Sequence, residues 1–198
     1  VLRKAGAYQG WADLAPQPLP EWLRGPLVEA YGDAVMTAIE AAHQRGAPLD
    51  LTMTPGADPV PGADALPTGS WRLQGSVQVT ALPGFDEGQW WVQDAAAALP
   101  ARLLAPQPGE RIADLCAAPG GKTLQLAAAG AHVTAVDISE QRLRRVTENL
   151  ARCGLTADLV AADVLDWRPD VAPDAILLDA PCSATGTIRR HPDLPFIR

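Results

Sequence analysis

The segment Cys116-Ala117-Ala118-Pro119-Gly120-Gly121-Lys122-Thr123 follows directly on the short apolar run Arg111–Leu115, and three aspartates, Asp137, Asp163 and Asp179, stand at or just past the ends of three further such runs. The Gly-Gly turn lets backbone come close to a ligand, and a helix beginning there offers N–H groups with no partner of their own. A carboxylate after the second run suits a ribose diol, because it accepts both hydroxyl hydrogens. Asp163 is placed to accept from an adenine amino group. Together these residues describe a site for an adenosyl cofactor with a free ribose.

Gly121-Lys122-Thr123 invites a triphosphate reading, but the P-loop needs glycine five residues before its second glycine, and Cys116 stands there. The dinucleotide fingerprint G-x-G-x-x-G is also absent. S-adenosylmethionine carries no phosphate and needs fewer glycines, so it is the expected cofactor, with a phosphate-binding NTPase as a rival. A single aspartate at a strand end is commonly a turn former or helix cap. Three in succession after successive strands are not well explained that way.

The elements that must position these residues are legible. Arg111–Leu115, His132–Val136, Asp158–Val160 and Ala175–Leu178 read as strands, with helices over Lys122–Ala129 and from the Ser139 cap to about Cys153, where Leu143, Val146 and Leu150 share a face. That rhythm predicts an α/β fold, a doubly wound parallel sheet with ligands beyond the carboxyl ends of its strands. Residues 1–105 read as a small α+β module. Its expected helices are Pro20–Gly32, Asp33–Arg45 (with a stripe of Ala34, Ala38, Ile39 and Ala42) and an Asp94-led helix to about Leu104. Its expected strands are Leu49–Met53, Trp71–Leu73 and Val77–Val79, with a loop from Thr54 to Gly69. Ala105-Pro106-Gln107-Pro108-Gly109 is a linker, and the core domain is expected over 106–198.

The 198 residues carry 16 Lys+Arg and 23 Asp+Glu, a formal charge of −7, which argues against holding nucleic acid by bulk charge alone. The acidity is uneven: residues 1–110 hold 6 basic and 12 acidic side chains, residues 111–198 hold 10 and 11. Arg189, Arg190 and His191 form a short basic edge, readable either as a phosphate contact or as a solvated loop. No apolar window is long enough for a membrane span, and Val1-Leu2-Arg3-Lys4 opens no signal peptide. Cys116, Cys153 and Cys182 are an odd, widely spaced set without C-x-x-C, and His43, His132 and His191 stand apart, so neither a disulfide scaffold nor a metal site is expected. A cytoplasmic monomer is the expectation.

Asp114 to Thr123, followed by Asp179-Ala180-Pro181-Cys182-Ser183-Ala184-Thr185-Gly186, resembles the RNA cytosine-C5 methyltransferases of the Sun/Fmu/RsmB family. Ile188-Arg189-Arg190-His191-Pro192-Asp193 looks like the bacterial RsmB branch, which modifies 16S ribosomal RNA, and Ala184, where many relatives have Gly, agrees with it. Leu66–Ser70, Leu82–Phe85 and Trp90-Trp91-Val92-Gln93-Asp94 are similar to the module that precedes the core in that branch, where it serves as an RNA-binding accessory. The resemblance implies a Rossmann-like methyltransferase core whose doubly wound sheet is incomplete in this chain. It implies that Cys116, Ala117, Ala118, Pro119, Gly120, Gly121 and Lys122 line the S-adenosylmethionine site. It implies that Asp137 binds the ribose, that Asp163 binds the adenine, and that Asp179 lies beside cofactor and base. Arg142 reads either as part of the cofactor's surroundings or as a solvated helix arginine.

Cytosine C5 is too weak a nucleophile to take a methyl group unaided, and a thiolate adding to C6 makes it reactive. In the family Cys182 matches the cysteine of the release step, while the attacking cysteine lies in a later Thr-Cys-Ser motif that this sequence does not contain. The chain is therefore expected to be a fragment, inactive alone, lacking the last strands and an N-terminal RNA-binding domain. A non-catalytic RNA-binding or assembly module with this fold remains the alternative. A DNA cytosine methyltransferase, in which the Pro-Cys cysteine attacks, is a weaker one.

Overall fold

Four parallel strands in the order β7-β6-β5-β8 form the sheet that carries the motifs: β5 (Arg111–Leu115), β6 (His132–Asp137), β7 (Asp158–Ala161) and β8 (Ala175–Leu178). The order reverses between β5 and β8, the switch point at which such sheets open a crevice. Register carries the motif residues to one level: Leu115 pairs with both Val136 and Leu178, so Cys116, Asp137 and Asp179 follow at the same edge. This is a computed structural model, and it describes residues 15–75 and 77–197. Expectations that fall on residues 1–14 lie outside the described residues.

Helices α4 (Gly121–Ala128) and α5 (Glu140–Arg152) are the crossovers. Leu143, Val146 and Leu150 of α5 are at most 5% exposed and pack with Leu124 of α4. Each such burial contributes about 1.5–3 kcal/mol. Ser139 caps α5 by accepting the Arg142 N–H at 3.3 Å, as expected from its position. On the neighbouring cluster Ile112, Val133 and Leu177 meet Leu126 of α4 and Ala101 of α3 (Ala95–Leu104).

Ahead of this sheet lies a second, antiparallel one, ordered β2-β3-β1-β4: β1 (Leu49–Met53), β2 (Asp64–Ala65), β3 (Trp71–Leu73) and β4 (Trp90–Val92). Two expectations fail here. Val77–Val79 is not a strand; a turn of 3-10 helix begins at Val79 instead, and the missing partner of β1 is supplied by Trp90–Val92. Asp64–Ala65 also interrupts the long loop expected over Thr54–Gly69. Leu49–Met53 alternates apolar and polar residues, yet β1 is central, and both Asp50 and Thr52 are buried. Asp50 is tolerated there because Arg72 donates to both its oxygens, at 2.6 and 2.8 Å, and Ala95 N–H donates at 3.0 Å.

The chain divides into two compact units, residues 48–181, and residues up to 47 together with those from 182 onward. A boundary at 105/106 therefore falls inside the first unit, because α3 packs on α4 rather than standing apart. In the other unit, α1 (Glu21–Tyr31) and α2 (Asp33–Gln44) enclose a small core of Leu19, Met36 and Ile188. The buried face of α2 carries Met36 and Glu40, whereas Ala34 and Ala38 of the expected stripe are exposed. The larger Met36 side chain decides which face turns inward, and Glu40 joins it because its carboxylate accepts from Leu19 N–H and Arg24.

Candidate cofactor site at the carboxyl edge of the parallel sheet

Cys116 leaves β5 in the left-handed region, φ 62°, a conformation that costs a non-glycine residue of order 1 kcal/mol and is held by its surroundings. The next N–H, of Ala117, donates to Val136 O at 3.0 Å, and that of Ala118 donates to Asp137 Oδ2 at 3.1 Å. The loop is thus fastened to the end of β6. Asp137 is 1% exposed, and its Oδ1 accepts from Ser139 N–H at 2.9 Å and from Arg142 at 2.6 Å. Arg142 is accordingly not a merely solvated helix arginine; it pairs with the aspartate assigned to the ribose. Its side chain is 52% exposed, whereas its partner carboxylate is buried.

Across the switch point, Lys122 donates to Asp179 Oδ2 at 2.6 Å, joining the two sequence motifs that lie 57 positions apart. Asp179 itself is fastened by its N–H to Leu115 O at 3.2 Å. Asp163 sits two residues past β7, where its Oδ1 accepts the Leu165 N–H at 2.9 Å and forms a local turn. The turn-forming role is therefore real for this aspartate, and it leaves the second oxygen for other use. Pro119 follows Ala118 through a cis peptide bond.

In the sequence Asp114 stands only as the first residue of a motif, yet burial perturbs it strongly. It is 1% exposed, accepts Thr123 Oγ–H at 2.6 Å on Oδ2, and its buried Oδ1 has no partner among the described residues. Burial first, with Asp179 and Asp137 adding and Thr123 and Lys122 opposing, pushes its carboxyl up to about 6. A charged residue inside the run Ile112-Ala113-Asp114-Leu115 was the signal available in sequence. Burial, with Asp137 adding, also pushes the Cys116 thiol up, away from the thiolate form a nucleophile needs.

Cys182 opens the other unit, exposed, with its sulfur accepting the Ala184 N–H at 3.3 Å. Arg189 is no free phosphate contact: its Nε and one terminal nitrogen donate to Gly46 O at 3.0 and 2.6 Å, tying that segment to the end of α2. Cys153 is a half-buried helix-end residue packed in the α5 cluster. A cavity of about 420 Å³ opens at the amino ends of the strands, beside Arg111, His132 and Asp158, on the side away from every motif. Among the described residues no cluster of His, Cys, Asp and Glu could hold a metal.

Residues 101–198 match the family model of the 16S rRNA methyltransferase RsmB/F. The ribosomal RNA small subunit methyltransferase B of Citrobacter koseri is 46% identical over 184 residues, which covers 90% of this chain and 40% of that protein. The corresponding protein of Serratia proteamaculans is 56% identical over 132 residues, covering 64% of the chain and 31% of its own length. The chain belongs to the RsmB/F family. It spans less than half the length of these relatives. Among solved structures, a methyltransferase homologue from Pyrococcus horikoshii superposes with a TM-score of 0.66 at 30% identity, covering 81% of this chain and 58% of that one. S-adenosylmethionine is the cofactor of this RsmB/F chain, and the residues fit it: a buried carboxylate oxygen without a partner among the described residues, a left-handed Gly120 where the loop turns into α4, and Asp137, Asp163 and Asp179 at or just past the ends of three strands.

Proposed function

We propose that the protein to which this chain belongs transfers a methyl group to C5 of a cytosine in 16S ribosomal RNA through a covalent cysteine–C6 adduct. The observation that carries the reading is the Lys122–Asp179 pair at 2.6 Å, because it brings the loop after β5 and the aspartate that opens the Asp-Ala-Pro-Cys motif to the same edge of the sheet. When bound, S-adenosylmethionine supplies a methyl carbon made electrophilic by its sulfonium.

The residues divide the remaining work. Cys116 to Lys122 line the cofactor. Asp137 accepts ribose hydroxyls once Arg142 moves from its oxygen, and Asp163 accepts from the adenine amino group. Asp179, 59% exposed at its side chain, faces the reacting groups with its charge held by Lys122. A thiolate other than those of Cys116, Cys153 and Cys182 would add to C6, making C5 nucleophilic toward the methyl group that the cofactor would supply, with the thioether as leaving group. A base then removes the C5 proton and the thiolate is expelled. Cys182 serves this last step, and its exposure lets it reach an RNA substrate. The target base must first leave its stack. Residues of the N-terminal module contribute RNA contacts, and the chain alone binds cofactor without turning over.

Cys182→Ser in the full-length protein tests this. With an RNA bearing 5-fluorocytosine or the natural base, the variant should accumulate a protein–RNA adduct that resists denaturing electrophoresis. Abolished capture would place the attacking thiol at Cys182 and overturn the assignment.

A further inference from the structure

Gln93 carries a buried polar network that reaches the middle of α4 and lies against its first residue, Gly121. It is 7% exposed, and its Oε1 accepts from Thr52 Oγ–H at 2.8 Å and Trp91 Nε1–H at 3.0 Å. Its Nε2 donates to Gln125 Oε1 of α4 at 2.7 Å, and Gln125 in turn donates to Ala98 O of α3 at 3.0 Å. The amide thus spans β1, β4, α4 and α3 with its oxygen filled and its nitrogen committed. A Cβ placed on Gly121 would meet the Gln93 Cδ and Nε2 at 3.3 Å, closer than ordinary van der Waals contact. Gly121 is the first residue of α4 and lacks the left-handed φ that distinguishes Gly120, so its backbone does not itself require glycine.

We infer that Gln93 is a positioning residue for the cofactor loop: its amide occupies the space of the missing Gly121 side chain and fixes where α4 begins, so the second glycine of the Gly-Gly turn answers to Gln93 and not to the ligand. The Lys122 ammonium and the Thr123 hydroxyl, which hold Asp179 and Asp114, follow Gly121 directly and inherit that placement. A buried amide with several partners has one orientation that satisfies them all, which makes it a stiff spacer.

A double-mutant cycle tests this, read by urea unfolding and by titration with S-adenosylhomocysteine. Gln93→Ala should weaken the ligand about tenfold, the equivalent of one net hydrogen bond. Gly121→Ala should weaken it about tenfold and lower the unfolding midpoint in the native background, but add little in the Gln93→Ala background. A residue that only packs would shift unfolding and leave the affinity of the folded protein unchanged. If Gly121→Ala costs the same in both backgrounds, by either readout, the inference is overturned and the demand for glycine lies with the ligand. Should Gly121→Ala be too unstable to titrate, unfolding alone decides, because the double variant must then be no less stable than Gly121→Ala. Neither readout involves RNA, so the result bears on the loop and leaves the choice of substrate to the adduct experiment.

Discussion

Asp114 lies between α4 and the strand ends with one oxygen on Thr123 and the other without a partner among the described residues, and its carboxyl is raised to about 6. A group whose pKa rises on folding favours the native state when protonated. Its contribution is present below the ordinary aspartate range and lost as pH climbs to about 6. Asp114→Asn, which keeps an acceptor for Thr123, should therefore stabilise the protein at pH 7–8 by of order 2–3 kcal/mol and make no difference below about pH 4. Thermal melting across pH checks this, and a constant difference would locate the effect elsewhere. Asp137→Ala should abolish measurable binding of S-adenosylhomocysteine, because it removes the proposed ribose acceptor and releases the Ala118 N–H that fastens the loop.

Among the elements, α5 and the loop before α4 constrain each other. Gly120 sits at φ 104°, and a Cβ there would meet Val146 at 3.0 Å, so Gly120→Ala combines backbone strain with a clash. A loss of about 2–4 kcal/mol in urea unfolding is expected, partly recovered by Val146→Ala. How far the sequence reached differs between the two sheets. In the parallel sheet, near-continuous apolar runs separated by a Gly-Gly turn and a Ser-capped amphipathic helix left little choice, and every strand and helix stands where it was expected, within a residue or two. In the antiparallel sheet, local pattern misled: Val77-Gln78-Val79 alternates, yet β1 pairs with Trp90-Trp91-Val92, because two tryptophans can fill the space over Leu51 and Leu124. At the site, the carboxylates after successive strands were visible as spacing. Asp114 and Gln93 were not singled out, since burial and partners from distant elements, rather than residue type, give them their roles.

At the scale of the whole molecule, the charge of −7 no longer counts against an RNA-modifying protein. Asp50, Asp114 and Asp137 are buried, two of them ion-paired, and none of the three contributes to a repelling surface. The basic edge after Cys182 is reduced in the same way, since Arg189 is spent on Gly46. This chain alone should accordingly hold single-stranded RNA weakly, with no saturation below about 10 μM at physiological salt in an anisotropy titration. The chain covers less than half of its curated relatives, and two compact units meet in sequence at Pro181–Cys182, between Asp179, proposed to face the cofactor, and Cys182, proposed to serve the base. The cofactor half of the reaction should therefore be separable from the RNA half. Heat denaturation with ligand decides that claim most directly. S-adenosylhomocysteine at a hundredfold excess over its dissociation constant should stabilise the chain by about 2.7 kcal/mol and raise its melting temperature by several degrees, whereas ATP should leave it unchanged. Protection by ATP, or none by S-adenosylhomocysteine, would contradict the assignment of the site.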